Sequence, residues 1–220
     1  MKQKKNEGTT KRSAEINQEY VTGGFFVVLD GIDAAGTTTH SHLLKGFLEH
    51  KGFKVYLTQE PSHSKIGALL REFLKNKEIP ATTDALLFAA DRDIHYHYEI
   101  EKKLEEGYIV ISDRYLESSI VYQSTQSDKI SIEWIKKINK FVGHADLTII
   151  IDIDPKIALA RKNNEDFEKF EYTAFLDKVR DLYLIRAKQE GYYVVSSDDI
   201  IEFVQEKIQK IVIEKLRNLG

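Results

Sequence analysis

Apolar residues along the chain fall into five short runs, separated by longer stretches with an apolar residue every three or four positions. The runs are nearly continuous rather than alternating, which is typical of strands covered on both faces in a parallel sheet. They span Phe25–Asp30, Lys54–Thr58, Ile109–Asp113, Leu147–Asp152 and Tyr192–Val195. The pattern therefore predicts a five-stranded parallel sheet.

The stretches between the runs predict amphipathic helices. They span Thr38–Lys51, Thr83–Glu106, Tyr172–Gln189 and Ile200–Leu216. Alternating strands and helices favour right-handed crossovers and an α/β fold with helices flanking the sheet. Ligands of such folds bind beyond the carboxyl ends of the strands. Two predicted strands end in Asp30-Gly31 and Asp113-Arg114, so we expect both ends to open onto one crevice.

The composition fits one folded domain. With 220 residues, 42% of them hydrophobic, the chain is long enough to bury a single core. We expect this domain to span residues 23–220 and residues 1–22 to form a polar tail, with docking of the tail as a helix as the alternative. The net charge of −3 gives no indication of a nucleic-acid partner.

Cysteine does not occur in the sequence, which excludes disulfides, thiolate metal sites and a cysteine nucleophile and fits a reducing cytoplasm. No run reaches the roughly 18 consecutive apolar residues of a membrane span, and the charged amino-terminal segment lacks the apolar stretch of a secretory signal. The seven histidines show no spacing typical of metal ligands. We interpret them as surface or packing residues.

A glycine-containing loop follows the first predicted strand and leads directly into a helix. Its spacing matches the phosphate-binding loop G-x-x-x-x-G-K-[ST], except that Thr37 stands in place of the lysine. Glycines let the main chain approach phosphate groups, and a helix N-terminus offers free N–H groups with positive dipole character. The predicted ATP-binding residues are Gly31, Ile32, Asp33, Ala34, Ala35, Gly36, Thr37, Thr38 and Thr39.

Two threonines decide what this loop can do. Thr38 stands where such loops carry the hydroxyl that binds Mg²⁺. Thr37 brings no positive charge, although phosphoryl transfer depends on electrostatic stabilisation of the phosphates. Either another cation substitutes, or turnover is slow, or the site binds without reacting. An ordinary strand–helix turn with threonine caps is the alternative to a phosphate loop.

Five segments, in order, resemble the thymidylate kinases, a family of P-loop nucleoside monophosphate kinases. They are LDGIDAAGTTTHSHLL at 29–44, TQEPSHSKIGALLR at 58–71, LLFAADR at 86–92, DRYLESSIVYQ at 113–123 and ALARKNNEDFEKFE at 158–171. The resemblance implies a P-loop NTPase fold with a short mobile lid, a homodimer, and transfer of the γ-phosphoryl group of ATP to dTMP with Mg²⁺. The sequence departs from the family at Thr37, at Gln59, where an arginine is usual, and in a lid poor in arginine.

The resemblance also implies an acceptor site. The implied dTMP-binding residues are Asp33, Arg71, Phe88, Arg92, Arg114, Ser119, Tyr122 and Gln123. Phe88 would stack on the pyrimidine, and Arg92, on the same helical face, would donate to a base carbonyl. A core residue and a solvated surface arginine are the respective alternatives. Arg114 and Arg71 would bind the acceptor phosphate.

The other acceptor residues surround the sugar and the base edge. Ser119, Tyr122 and Gln123 lie at spacings that share a helical face. By resemblance, Tyr122 would crowd a ribose 2′-hydroxyl and Gln123 could pair with the base, while plain packing is the alternative for Tyr122. Asp33 would reach the 3′-hydroxyl of the acceptor sugar or, alternatively, stabilise its own loop.

The implied catalytic residues are Thr37, Asp113, Arg114 and Arg161. Asp113 would hold Mg²⁺ together with Thr38; a structural ion pair with the neighbouring arginine is the alternative.

Arg161 belongs to the lid segment, which also contains Lys162 and Lys169. Lids of this class close over the phosphates, so we expect one of these three cations to supply the charge that Thr37 lacks. A charge run on an exposed helix is the alternative. By resemblance to the family, residues 196–199 would line the adenine pocket.

Two further functions remain open from the sequence. The chain could phosphorylate another nucleoside monophosphate or a deoxynucleoside, although Phe88, Arg92, Tyr122 and Gln123 favour thymidylate. It could also be a degenerate nucleotide-binding module that regulates a partner, for which Thr37 is the sole support.

Overall fold

One five-stranded sheet organises the protein, whose computed structural model describes residues 23–76, 78–161 and 173–218. All strand pairs are parallel, and the spatial order is β2-β3-β1-β4-β5. The strands are β1 Phe25–Gly31, β2 Val55–Gln59, β3 Ile109–Asp113, β4 Leu147–Asp152 and β5 Tyr193–Ser196. The predicted α/β fold is confirmed, and each strand lies within one residue of its predicted bounds.

Helices connect and flank the strands. Over the described residues they are α1 Thr37–His50, α2 Lys65–Phe73, α3 Ala81–His95, α4 Glu101–Glu105, α5 Leu116–Gln126, α6 Ile132–Ile138, α7 Pro155–Ala160, α8 Thr173–Glu190 and α9 Ile201–Arg217. None of them combines the length and apolar character that crossing a membrane requires.

The long helix predicted over Thr83–Glu106 differs in the structure. It begins at Ala81, directly after Pro80, and a π-helical turn at Tyr96–Ile100 separates α3 from α4. A π turn is closed by bonds between residues five positions apart. His95 and Ile100, five positions apart, are 1% and 0% exposed, so the wider turn lets both side chains point into the protein.

The core has a layer on each face of the sheet because successive strand residues point to opposite faces. Phe25, Val27 and Leu29 of β1 pack with α1, α8 and α9, whereas Phe26 and Val28 pack against the segment around Ile100. The three central strands are therefore buried on both faces, as their continuous apolar runs indicate, whereas the edge strand β5 is mostly exposed.

The carboxyl ends of β1 and β3 lie side by side, as parallel pairing requires. Leu29 pairs with Asp113 of β3, and Gly31, two residues further along β1, pairs with Ile151 of β4. A Cβ on Gly31 would lie 2.5 Å from the carbonyl oxygen of Ile151, so only glycine lets β1 end this close to β4. The loop that follows crosses this edge of the sheet and enters α1.

Candidate active site

The loop between β1 and α1 forms one wall of a donor cavity of about 630 Å³. Gly36 begins α1 with φ +102°, a left-handed conformation that glycine adopts without strain. The lining residues are Asp33, Ala34, Ala35, Gly36, Thr37, Thr38, Thr39, His40, Arg114, Arg161, Ser197, Asp199, Ile201 and Val204. Seven of the nine predicted ATP-binding residues are among them; Gly31 and Ile32 lie behind the loop, where Ile32 is buried in the core.

Thr38 and Asp113, the two predicted metal-binding residues, are in direct contact. The Thr38 hydroxyl donates to Oδ2 of Asp113. The other carboxylate oxygen, Oδ1, is buried and has no hydrogen-bond partner among the described residues. A hydroxyl beside a carboxylate oxygen that lacks a partner fits Mg²⁺, which prefers oxygen ligands and binds through few protein groups when phosphates supply the rest. The described residues hold no group of three or more histidines and carboxylates suited to a metal.

A second cavity, the acceptor cavity, has a volume of about 230 Å³. It is lined by Asp33, Glu60, Pro61, Arg71, Leu74, Phe88, Arg92, Arg114, Tyr115, Ser118, Ser119, Tyr122 and Gln123. All eight residues predicted to bind the acceptor are in this set, although they come from four separate segments of the chain. The structure therefore brings the predicted residues together, while their individual roles stay predictions.

Asp33 and Arg114 line both cavities and form the wall between them. Nη2 of Arg114 lies 2.6 Å from Oδ1 of Asp33, and Nη1 donates to the carbonyl oxygen of Gly31 and to the Ser118 hydroxyl. Burial alone would lower the pKa of Arg114, but the Asp33 carboxylate, together with Tyr122, Tyr183 and Asp30, outweighs this effect and keeps the pKa well above its ordinary value. The guanidinium is therefore charged and fixed, whereas the side chain of Asp113 does not pair with it.

Asp30 supports this wall from beneath, a role that the sequence did not indicate. It is 0% exposed and accepts hydrogen bonds from the Tyr183 hydroxyl at 2.6 Å and from the hydroxyl and main-chain N–H of Ser118. Burial raises the pKa of Asp30, and Arg114 and these hydrogen bonds offset part of that rise. Ser118 follows Arg114 by four residues, but no local signal links Tyr183, 153 positions away, to Asp30.

Arg92 is 1% exposed, so the alternative of a solvated surface arginine is wrong. Its Nε donates to Glu60, one Nη1–H to Asn139, and Nη2 to Ser119 and the carbonyl oxygen of Tyr115. A guanidinium has five N–H donors, so one Nη1–H is left by the described residues. A single base carbonyl would match that remaining donor.

The aromatic and amide residues of the acceptor cavity are partly or fully buried. Phe88 is half-buried, and it packs against the core as well as lining the cavity. The Tyr122 hydroxyl donates to Oδ2 of Asp33 at 2.9 Å and accepts from the Asp33 main-chain N–H. Gln123 is 2% exposed, and its Oε1 has no hydrogen-bond partner among the described residues.

Two cations sit further out, one in each cavity. Nη1 of Arg71 donates to the carbonyl oxygens of Pro61 and Ser62, at 2.9 and 2.8 Å. Arg161, at the end of α7, lines the donor cavity with Thr37 and donates to the carbonyl oxygen of Ser197 at 2.9 Å.

Some predicted positions lie elsewhere or outside the described residues. Of residues 196–199, Ser197 and Asp199 line the donor cavity. Lys162, Lys169 and the predicted tail, residues 1–22, lie outside the described residues.

His40 also lines the donor cavity, although the sequence indicated only a surface or packing role for it. It is 3% exposed, and its Nδ1 lies 2.8 Å from Oε1 of Gln205 on α9. Burial lowers the pKa of His40, and the positive charge of Arg161 lowers it further, against the opposing effect of the Gln205 hydrogen bond.

Comparisons of the sequence and of the fold with known proteins identify one family. The family model for thymidylate kinase matches residues 29–208. Probable thymidylate kinases from Pyrobaculum aerophilum and Pyrobaculum calidifontis are 47% and 48% identical to this chain, over 85% and 78% of its length and 97% and 87% of theirs. The crystal structure of a thymidylate kinase from Ehrlichia chaffeensis superposes with a TM-score of 0.71 at 28% identity, covering 86% of this chain and 99% of that one.

Proposed function

Because the chain belongs to the thymidylate kinase family, we propose that it transfers the γ-phosphoryl group of ATP to dTMP, giving ADP and dTDP. The observation that carries this proposal is the shared wall: Asp33 and Arg114 line both cavities. A donor phosphate in one cavity and an acceptor phosphate in the other would meet at the Arg114 guanidinium.

The donor cavity would bind ATP through main-chain N–H groups of the loop and the N-terminus of α1. Thr38 and Asp113 would hold Mg²⁺ with oxygen ligands. When bound, the cation would neutralise charge on the β- and γ-phosphates. Ser197 and Asp199, at the other end of the cavity, would lie beside the adenine.

The acceptor cavity would bind dTMP with its base at the Phe88 face. The unpartnered Oε1 of Gln123 and the remaining Nη1–H of Arg92 supply one acceptor and one donor, which suits the N3–H and a carbonyl oxygen of thymine. Tyr122 is fixed by two hydrogen bonds to Asp33, so it would leave little room for a ribose 2′-hydroxyl.

The transfer itself needs no protein nucleophile. An oxygen of the acceptor phosphate would form the new bond to the γ-phosphorus as the bond to the β–γ bridging oxygen breaks, with ADP as the leaving group. Positioning and neutralisation are then the main contributions of the protein. Arg114 would contact both phosphates because its fork geometry can bind two oxygens at once.

Arg161 would provide the charge that a loop lysine normally supplies. It lines the same cavity as Thr37, and the described residues engage it only through the carbonyl oxygen of Ser197. No carboxylate among the described residues pairs with this guanidinium. We propose that closure of the lid brings this charge to the phosphates.

The proposed function is tested by initial rates of ADP formation with dTMP, dUMP, UMP and CMP as acceptors. We expect the highest kcat/KM with dTMP. A clear preference for a ribonucleotide would refute the choice of acceptor, and ATP binding without ADP formation from any acceptor would refute a kinase and support a regulatory nucleotide-binding module.

We also propose that the protein acts as a homodimer in the cytoplasm. The helices α2 and α3 pack against each other. They expose apolar side chains: Leu69 on α2, Leu86 and Ile94 on α3, and Tyr98 just after α3. These side chains support an apolar contact surface between two copies of the chain. The lack of cysteine fits a reducing compartment. Sedimentation equilibrium would test the dimer, and a monomer at micromolar concentration would contradict it.

A further inference from the structure

A small side cavity of about 140 Å³ adjoins the proposed metal position. It lies between α1 and the carboxyl ends of β2 and β3, and Thr38 and Asp113 both line it. It shares Thr38 with the donor cavity and shares no lining residue with the acceptor cavity. Thr38 therefore borders both the donor cavity and the side cavity.

The first observation that points to a ligand in this cavity is the buried hydroxyl of Ser41. It follows Thr38 by three residues on α1, so both side chains share a helical face. Ser41 is 0% exposed, and its Oγ has no hydrogen-bond partner among the described residues. A buried hydroxyl left without a partner is destabilising. Asp113 lines the same cavity, and its Oδ1 also lacks a hydrogen-bond partner in the described part of the chain.

Gln59 places a third polar group in the cavity. It pairs with Asp113 in the register of β2 and β3, and laterally paired residues of a sheet point to the same face. Its amide is therefore on the same side as the Asp113 carboxylate, and it has no hydrogen bond to the described residues. An amide offers both a donor and an acceptor.

We propose that the side cavity holds water molecules of the Mg²⁺ hydration shell, and that Ser41 and Gln59 position those waters. The inference rests on the proposed function, which places Mg²⁺ at Thr38 and Asp113. Water takes up about 30 Å³ per molecule, so a cavity of about 140 Å³ has room for more than one water molecule. Magnesium keeps several waters when it binds beside phosphates.

The chemistry of the cavity favours waters over a directly bound second metal. His42 and His63 also line it, but the described residues contain no group of three histidines and carboxylates placed to hold a metal ion. A hydroxyl, an amide and one free carboxylate oxygen are instead the mixture of donors and acceptors that bound water requires. Ser41 and Gln59 are thus positioning residues, which act on the cation through water.

The test is calorimetric titration of ATP, without acceptor, over a series of Mg²⁺ concentrations and in EDTA. It compares the wild type with Ser41→Ala and Gln59→Leu. Each substitution should weaken the apparent Mg²⁺ affinity about three- to tenfold, the loss expected for one hydrogen bond, and leave ATP binding in EDTA unchanged. Ser124→Ala is the matched control, because its hydroxyl donates to the carbonyl oxygen of Ile120 and lines none of these cavities.

Thermal unfolding separates this role from a structural one. Ser41→Ala removes an unpartnered hydroxyl and adds a strong helix former, so its Tm should equal or exceed that of the wild type. Wild-type Mg²⁺ affinity in both variants overturns the proposal, as does a loss of ATP binding that is equally large in EDTA. If Mg²⁺ does not strengthen ATP binding to the wild type, the proposed magnesium site itself fails.

Discussion

Arg114 shows how single residues fix the site. Its backbone adopts φ +69°, a conformation that costs a non-glycine residue roughly 1–2 kcal/mol. Three hydrogen bonds hold the guanidinium in place, and the Asp30 carboxylate lies 3.9 Å from Nη1. The Asp113-Arg114 sequence and its place at a strand end indicated a phosphate contact. The supporting carboxylate could not be inferred, because its partner Tyr183 comes from the far end of the chain.

Asp30 should give the protein a measurable pH dependence. Burial raises its pKa above 3.8, so the folded state binds this proton more tightly than the unfolded state does. Its contribution to stability is therefore full below about pH 3.8 and is lost as the pH rises through the folded-state pKa. Relative to Asp30→Asn, the unfolding free energy of the wild type should fall as the pH is raised. Urea unfolding at several pH values measures this, and a constant difference would contradict it.

Gln123 should govern affinity for the acceptor alone. Its Oε1 is buried and unpartnered among the described residues, so Gln123→Leu removes an acceptor that only the nucleotide would satisfy. We expect KM for dTMP to rise about three- to tenfold, with KM for ATP and the Tm unchanged. Steady-state kinetics with each substrate varied in turn is the measurement. An equal rise in both KM values would point to a general disturbance of the site instead.

Arg161 should matter more in this protein than its exposed position indicates. Arg161→Ala is expected to lower kcat at least about tenfold, because a charge near the phosphates stabilises the transition state.

Thr37→Lys should fold and bind ATP, since the main-chain cradle is retained, and should recover part of the activity when combined with Arg161→Ala. Wild-type rates in Arg161→Ala, Lys162→Ala and Lys169→Ala, each measured separately, would remove the idea that the lid supplies the charge.

At the scale of the elements, the strands and helices with the clearest apolar pattern in the sequence were the ones predicted correctly. The central strands β1, β3 and β4 are buried on both faces and show continuous apolar runs in the sequence, which is why their bounds were correct to one residue. The helices α2, α6 and α7, of nine, seven and six residues, are too short to show a repeat. The π-helical turn at Tyr96–Ile100 was not predicted because an apolar repeat does not reveal one inserted residue.

The attachment of α5 to α8 should depend on one buried ion pair. Arg186 contacts Glu117 at 2.6 Å, and each side chain is 5% exposed. Arg186→Ala would leave the Glu117 carboxylate buried without its counter-charge, so it should cost about 3–5 kcal/mol of unfolding free energy.

An exposed pair provides the control for that experiment. Lys45 and Glu49 are in contact at 3.1 Å, but their side chains are 37% and 45% exposed, so Lys45→Ala should cost no more than about 0.5 kcal/mol. Denaturant unfolding of both variants measures the two losses. Similar losses of unfolding free energy in the two variants would show that burial does not determine how much each ion pair contributes to stability.

At the scale of the whole molecule, the order of the strands in the sheet determines which residues meet at the candidate active site. Placing β1 between β3 and β4 brings the glycine loop, Asp113 and Arg114 to one edge, and α3 and α5 then enclose the acceptor side. The sequence could predict this convergence because parallel strands share an edge. It could not predict that Asp33 and Arg114 would be the common wall of two cavities, since that depends on the path of the loop.

The central claim is that both nucleotides bind at once with their phosphates meeting at that wall. A dinucleotide in which adenosine and thymidine are joined 5′ to 5′ by a polyphosphate chain tests it most directly, by calorimetry with competition. It should bind one per chain, more tightly than ATP or dTMP alone, because the second contact becomes intramolecular. Both ATP and dTMP should displace it. Undiminished binding of dTMP to protein saturated with the dinucleotide would contradict the account.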